Sequence, residues 1–289
     1  MDRLLVVAAL TTLIHLINTL IYSVRVSGLM TGRLATAISL FNVIFLLSST
    51  ANMIQGPLLA TMVEGAIHRG GLEGVVPGGE KSGVFPSGYL YQLGLLAADF
   101  RLVILYATVG TVLGILLMPL FEKIFVRFIL IFESVGTVPG AVLSLVFSAG
   151  KAACRPGNIT APPAREKTGE PVVCGIPPSF LLMNVIVTGI FTTGVLSALY
   201  AGALYPGYRA SATMLASVVN GVAQVLFATV VDPTAARITD QAIRGLRNRS
   251  EVRRMAYYLA GTRIAGTLLA QAFFLPAAYL IRHVALLIT

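Results

Sequence analysis

Long apolar runs separated by short polar stretches dominate the pattern of this 289-residue chain. A bilayer core about 30 Å thick needs roughly 20 apolar residues per crossing helix. Six stretches meet that length and predict membrane-spanning helices: residues 4–22, 34–54, 102–120, 180–204, 210–231 and 255–280. A seventh candidate, residues 128–147, is interrupted by Glu133, Gly136, Pro139 and Gly140, and is equally compatible with a re-entrant or interfacial segment. The pattern therefore predicts an all-α integral membrane protein of six or seven spans.

The composition agrees with a membrane environment. Hydrophobic residues make up 56% of the chain and charged residues 11%, and the mean hydropathy is +0.84, unlike the values of soluble domains. The net charge of +9 comes mainly from segments between the apolar runs, which is typical of topology signals and anionic-lipid contacts rather than nucleic-acid binding. The first run has no small-residue cleavage site after it, so we expect a retained helix rather than a signal peptide.

Three polar stretches separate the predicted spans. Residues 70–87 are rich in Gly, and residues 151–178 are rich in Pro and contain both cysteines, Cys154 and Cys174. The two thiols can form one disulfide or stay free, and the sequence leaves both states open. Residues 232–254 alternate apolar residues with Arg at helical spacing, which predicts a helical hairpin or extensions of the flanking helices.

Charge places one of these stretches in the cytoplasm. Residues 232–254 carry six arginines near helix ends: Arg237, Arg244, Arg247, Arg249, Arg253 and Arg254. With six spans, the N-terminus lies outside while Arg25 and Arg33 lie inside; with seven spans, all three change sides. Both arrangements keep most basic residues inside, so charge does not choose between them.

An internal repeat favours six spans. Four positions of the first half are echoed in the second, pairing Tyr22 with Tyr200, Arg33 with Arg209, Asn42 with Asn220 and Pro57 with Pro233. Two inverted three-helix units are common in transporters, which bind substrate between them. We therefore divide the chain into a first unit at 1–120, a linker at 121–177 and a second unit at 178–289. Chance similarity between apolar segments is the alternative.

Polar side chains inside apolar spans are costly unless they face another helix or a water-filled cavity. In the first span, Thr11, His15, Asn18 and Tyr22 share one helical face, which Arg25 continues. This face predicts a cavity wall, and interhelical hydrogen bonding is the alternative for its amides and hydroxyls.

Other spans also carry polar residues. In the second span, Asn42 and Asn52 share a face, and Gln55 precedes Pro57, which bends or ends the helix and exposes backbone carbonyls. Arg263 in the last span and Glu133 in the seventh candidate each need a partner, and they are candidates to pair with each other. The remaining amides are expected to hydrogen-bond between helices: Asn184, Asn220, Gln224 and Gln271.

Motifs of hydrolases, ATPases and metal sites are missing from the sequence. It contains no HExxH, no GxSxG, no Walker loop and no His, Cys and carboxylate cluster at metal-binding spacing. We therefore expect neither catalysis nor a metal or other cofactor. A transporter, a membrane enzyme of another kind and a scaffold remain as classes of function.

The stretch 14–59 carries the most specific pattern. It contains His15, the steps Asn18-Thr19-Leu20 and Tyr22-Ser23-Val24-Arg25, the block Ser39-Leu40-Phe41-Asn42, and the runs Ser49-Thr50-Ala51-Asn52-Met53 and Gln55-Gly56-Pro57-Leu58-Leu59. In this N-terminal fifth the sequence resembles the Amj family of bacterial lipid II flippases. Elsewhere the resemblance is one of length, span number and layout. The chain departs from the family's pattern at Asn18, where Glu is frequent, and at Ser49, where Arg is frequent.

The resemblance implies passage of undecaprenyl-pyrophosphate-linked peptidoglycan precursor from the inner to the outer leaflet of the bacterial cytoplasmic membrane. The implied partners are lipid II and membrane lipids, with the cell-wall machinery as a further candidate and no nucleic acid. A pyrophosphate favours Arg, which offers several donors at fixed geometry, and sugars favour amides. We therefore predict that Arg25, Arg33 and Arg263 bind the pyrophosphate. The predicted polar path is lined by His15, Asn18, Asn42, Asn52 and Gln55. The alternatives to a lipid II flippase are a secondary transporter of small anions, a membrane enzyme of polyprenyl-phosphate metabolism, or a scaffold of the cell-wall machinery.

Overall fold

The computed structural model describes residues 3–71, 85–148 and 175–288, and the described part is built from helices. The helices are α1 (Arg3–Thr31), α2 (Leu34–Arg69), α3 (Ser87–Val135), α4 (Val138–Ser148), α5 (Pro178–Leu204), α6 (Arg209–Leu226), α7 (Asp232–Ile243) and α8 (Arg249–Ile288). A 3₁₀ turn, Pro206–Tyr208, precedes α6, and a π-helical turn, Phe227–Val231, joins α6 to α7. Cys154 and Cys174 lie outside the described residues.

Six membrane spans are confirmed in the described part of the chain. The helices that are long and apolar enough are α1, α2, α3, α5, α8 and the continuous stretch Pro206–Ile243. The seventh candidate is divided between the end of α3 and α4, because Gly136 adopts a left-handed conformation with φ 75° and ends α3. With 11 residues, α4 is only about 17 Å long, too short to cross the hydrocarbon core.

Several helices continue beyond their apolar runs. Helix α2 passes through Pro57 and ends at Arg69, so the alternative that Pro57 ends the helix is wrong. Proline removes one backbone donor, and the buried side chains of Leu59 and Val63 hold the following turns against the core. Residues 232–254 form α7, a short turn and the start of α8, as their helical spacing predicted.

Two central helices organise the bundle. Helix α1 packs against α2 and α3, and α5 packs against α6 and α8. Small residues allow close crossings, because Gly110 of α3 lies against the backbone of Thr12, and Gly266 of α8 lies against Thr188. Close backbone approach is a main source of helix association in lipid. In each predicted unit the first span packs against the other two spans. The inverted relation of the two units stays a prediction.

Ion pairs show which helix ends lie together. Arg25 near the end of α1 pairs with Asp232 at the start of α7, and Arg253 of α8 pairs with Glu122 of α3 at 3.0 Å. These contacts bring the end of α1 next to residues 232–254, which the positive-inside rule places in the cytoplasm. We therefore expect the Arg25 end of the bundle to be the cytoplasmic end.

Replacing Gly110 with alanine should destabilise the fold, because the new Cβ would collide with the backbone carbonyl of Thr12. Overpacking of this kind costs typically about 1–3 kcal/mol. Gly94 lies on the same helix with open space around its Cβ position, so Gly94→Ala should be neutral or slightly stabilising. Thermal unfolding of both purified variants in detergent measures the difference. Equal melting temperatures would contradict the close α1–α3 crossing.

A cysteine replacing Arg244 should resist membrane-impermeant thiol reagents in intact cells that express a variant without Cys154 and Cys174. The reagent cannot reach this position from outside, because the positive-inside rule places it in the cytoplasm. Burial would not explain the resistance, since the Arg244 side chain is 68% exposed. Gly207→Cys, in the exposed turn between α5 and α6 at the other end, is the positive control and should be labelled. The opposite labelling pattern would reverse the orientation.

Candidate functional site

A cavity of about 390 Å³ lies inside the bundle, between α1, α2, α5 and α6, with contributions from α3 and α8. Its wall combines apolar side chains with many polar ones, which lipid could not satisfy. We therefore identify it as a hydrated cavity. The polar lining residues are Thr11, His15, Asn18, Tyr22, Ser48, Ser49, Asn52, Gln55, Asn184, Thr188, Thr192, Asn220, Gln224 and Arg263.

The polar face of α1 supplies one wall of the cavity, and α2 faces it. The Thr11 hydroxyl donates to the carbonyl of Val7 at 2.8 Å and accepts a hydrogen bond from the Gln55 amide of α2. This bond fixes α2 to α1 next to the cavity. The amide nitrogen of Gln55 is therefore already hydrogen-bonded within the protein. Farther along α1, Asn18 and Tyr22 continue the polar wall of the cavity.

Asn184 lines the cavity and forms hydrogen bonds to two other helices. Its side-chain oxygen accepts from the Tyr22 hydroxyl of α1 at 3.2 Å. Its amide nitrogen donates to the Leu259 carbonyl at 3.0 Å and to the Thr262 hydroxyl at 2.8 Å, both on α8. The expectation that Asn184 bonds between helices is confirmed, and so is that for Gln271, which donates to the Arg101 carbonyl of α3.

Three buried polar atoms in the cavity wall have no hydrogen-bond partner in the described part of the protein. They are Nδ1 of His15 on α1, Oδ1 of Asn220 on α6 and Nε of Arg263 on α8. Buried polar atoms are almost always paired, because an unpaired one costs its full desolvation. Their convergence from three helices indicates a place for water or a polar ligand.

The charge of the cavity favours an anion. Its lining includes the guanidinium of Arg263 and, among the described residues, no Asp or Glu. An arginine without a carboxylate partner in a low-dielectric site attracts a negatively charged group strongly. Phosphate-type anions match its planar set of donors best.

The structure brings five of the predicted site residues together and leaves three outside. His15, Asn18, Asn52, Gln55 and Arg263 line the cavity. The other three are elsewhere: Arg25, Arg33 and Asn42.

Two of the outlying residues are held in ion pairs, and the third lies on the surface. Arg25 pairs with Asp232, and Arg33 pairs with Glu133 of α3. The suggested pair between Arg263 and Glu133 is therefore wrong, because Glu133 lies at the cytoplasmic end of α3 whereas Arg263 lines the cavity. Asn42 is on the exposed surface of α2.

Sequence reasoning underrated the second unit. Asn220 and Gln224 of α6 line the cavity, although both were assigned to interhelical bonding. The sequence held no reliable signal for this position, because the internal repeat aligned Asn220 with Asn42, which does not line the cavity.

Helices α2 and α6 both line the cavity, but in the described part of the chain they are not among the closely packed helix pairs. The ion pair between Arg209 and Glu64 joins them at the end away from Arg25. We infer a lateral gap between these two helices beside the cavity. The surfaces beside the gap are exposed and apolar, as at Met53 of α2 and Val218 of α6. A hydrocarbon chain can therefore stay in lipid while a polar group enters the cavity.

Cysteines at Asn18 and Asn52 should react with small hydrophilic thiol reagents, because both positions line the hydrated cavity and only the hydrated thiol ionises readily. A cysteine at Ile54 of the same helix as Asn52 should react much more slowly, since the Ile54 side chain is 57% exposed and does not line the cavity. Labelling rates in membranes of a variant without Cys154 and Cys174 compare the three. Equal rates would show that the cavity is dry.

Comparisons with known proteins extend the similarity over nearly the whole chain. Residues 10–285 match the family described as Amj, Alternate to MurJ. A curated relative from Bacillus subtilis (strain 168), named Lipid II flippase Amj, is 33% identical over 269 residues, which cover 93% of this chain and 91% of the relative. No solved structure is significantly similar to the chain. The match is far longer than residues 14–59, and the chain belongs to the Amj family.

Proposed function

We propose that this protein is a lipid II flippase of the bacterial cytoplasmic membrane, which it crosses six times. It moves the undecaprenyl-pyrophosphate-linked precursor from the inner to the outer leaflet for peptidoglycan synthesis. Membership of the Amj family and the name of the relative support this function. The structural observation that carries it is a polar cavity within the spans that contains an arginine and is flanked by a gap to lipid.

The parts of the cavity correspond to the parts of the substrate. Arg263 and His15 contact the pyrophosphate, and the amides of Asn18, Asn52 and Gln224 contact the sugars and the peptide. The prenyl chain passes through the gap between α2 and α6 and remains in lipid. A small free anion would need no such gap, so the gap favours a lipid-linked substrate over the alternative of a small-anion transporter.

The cavity lowers the barrier for moving a charged headgroup through the bilayer. An isolated ion in a medium of low dielectric constant costs on the order of tens of kcal/mol by Born solvation, and protein donors replace the water that the headgroup leaves. Motion of the two units, residues 1–120 and 178–289, would expose this site to either side in turn. No bond is broken in this process, so the protein acts as a transporter and not as an enzyme.

Arg263→Ala should reduce lipid II translocation at least about tenfold, because a charge-assisted contact is worth about 1.5–3 kcal/mol. Arg263→Lys should restore only part of the activity, since one ammonium does not reproduce the guanidinium geometry. Arg254→Ala, an exposed position on the same helix, is the matched control and should keep wild-type activity.

The measurement is the exposure of lipid II to a membrane-impermeant probe, in cells whose only lipid II flippase is this protein and at equal protein levels. Full activity of Arg263→Ala would remove Arg263 from the site. If cells with the wild-type protein expose no lipid II to the probe, the proposed flippase function is wrong.

A further inference from the structure

Arg25 continues the cavity-lining face of α1 but is occupied by a carboxylate of the protein itself. It follows Tyr22 by one helical turn and pairs with Asp232. Its guanidinium carbon lies 5.4 Å from the ring centre of Phe41, and both Phe41 and Tyr22 line the cavity. Arg25 therefore lies at the cytoplasmic rim of the cavity.

The surroundings of Arg25 suit an anionic oxygen ligand. Its side chain is only 11% exposed, whereas that of Asp232 is 41% exposed, so the cation is held in place while its partner is reached from the cytoplasmic side. A guanidinium against an aromatic ring is weakly hydrated and presents donors in one plane, which matches phosphate oxygens. A diphosphate offers more negative charge and more acceptors than one carboxylate and can replace Asp232.

The backbone that carries Asp232 is irregular. The π-helical turn Phe227–Val231 directly precedes it, and Pro233 directly follows it. Such turns occur frequently at functional sites, and proline removes one backbone hydrogen bond. Phe227 lines the cavity, so one short segment connects the cavity wall to the carboxylate that occupies Arg25.

Building on the proposed function, we propose that Arg25 is the loading site for the diphosphate of the lipid substrate, and that Asp232 occupies this site in the empty protein. The arriving diphosphate displaces Asp232 and releases the α6–α7 segment from α1. This opens the cytoplasmic end of the cavity, and the headgroup moves on to Arg263. The competing interpretation is that the ion pair only fastens the second unit to the first.

Binding to purified full-length protein in nanodiscs of neutral phospholipid tests the competition. Asp232→Asn should bind undecaprenyl diphosphate about tenfold more tightly than wild type, because the internal competitor is gone. Affinity for undecaprenol, which has no phosphate, should not change. Asp240→Asn is the matched control with the same change of charge on the same helix. Asp240 pairs with Arg244, which directly follows α7, so this variant should bind like wild type.

Asp232→Asn leaves the buried Arg25 without its carboxylate partner and can therefore destabilise the protein. A second variant, in which the two charges are exchanged, separates the two interpretations in that case. Arg25→Asp combined with Asp232→Arg can still form an ion pair between the units. We expect diphosphate binding to fall about tenfold or more, because α1 then presents a carboxylate to the ligand. The fastening interpretation requires binding at the wild-type level.

Unchanged affinity in a folded Asp232→Asn protein, or wild-type affinity in the exchange variant, would overturn the loading site. An equal gain for phosphatidylglycerol in Asp232→Asn would show a general anionic-lipid site and would also overturn it. Lipid II exposure in cells with the wild-type protein decides the proposed function separately. Normal exposure together with either overturning result would keep the flippase function and remove the role of Arg25.

Discussion

In the hydrocarbon core of a membrane no water is available, so each polar group must find its partner within the protein. The threonines of this bundle meet the requirement locally, as Thr19 does by donating to the His15 carbonyl one turn earlier. Asn184 meets it by joining three helices. Against this background, the unpaired atoms of His15, Asn220 and Arg263 are informative, because all three belong to residues that line one cavity.

The lipid environment also explains how the bundle can be closely packed at some helix crossings and open at others. Close crossings at Gly110 and Gly266 fix α3 to α1 and α8 to α5, since lipid gives no hydrophobic force that would join bulkier surfaces. Helices α2 and α6 lie farther from the core and are mostly exposed. They form the two edges of the gap beside the cavity, through which the prenyl chain of a lipid-linked substrate would pass.

Arginines have distinct roles in this protein, although they look alike in the sequence. Most of those in residues 232–254 orient the chain, Arg33 is neutralised by Glu133, and Arg263 lies in the cavity without a carboxylate partner among its lining residues. Arg25 combines two of these situations, because it is paired and yet borders the cavity. This combination is the basis for our proposal that a ligand replaces Asp232 at Arg25.

Hydrophobicity was sufficient to predict the six spans, although it left a seventh open that the end of α3 at Gly136 rules out. Helical periodicity was sufficient to predict the polar face of α1. Both depend only on residues close in the chain. The partners of Arg25 and Glu133 could not be predicted in this way. Periodicity puts residues on one face of a helix, but the neighbour of that face depends on how the helices are rotated and packed. Contacts such as that between Gly110 and Thr12 decide the rotation, and they join residues far apart in the sequence. For the same reason Asn220 lines the cavity while Asn42, its counterpart in the repeat, does not.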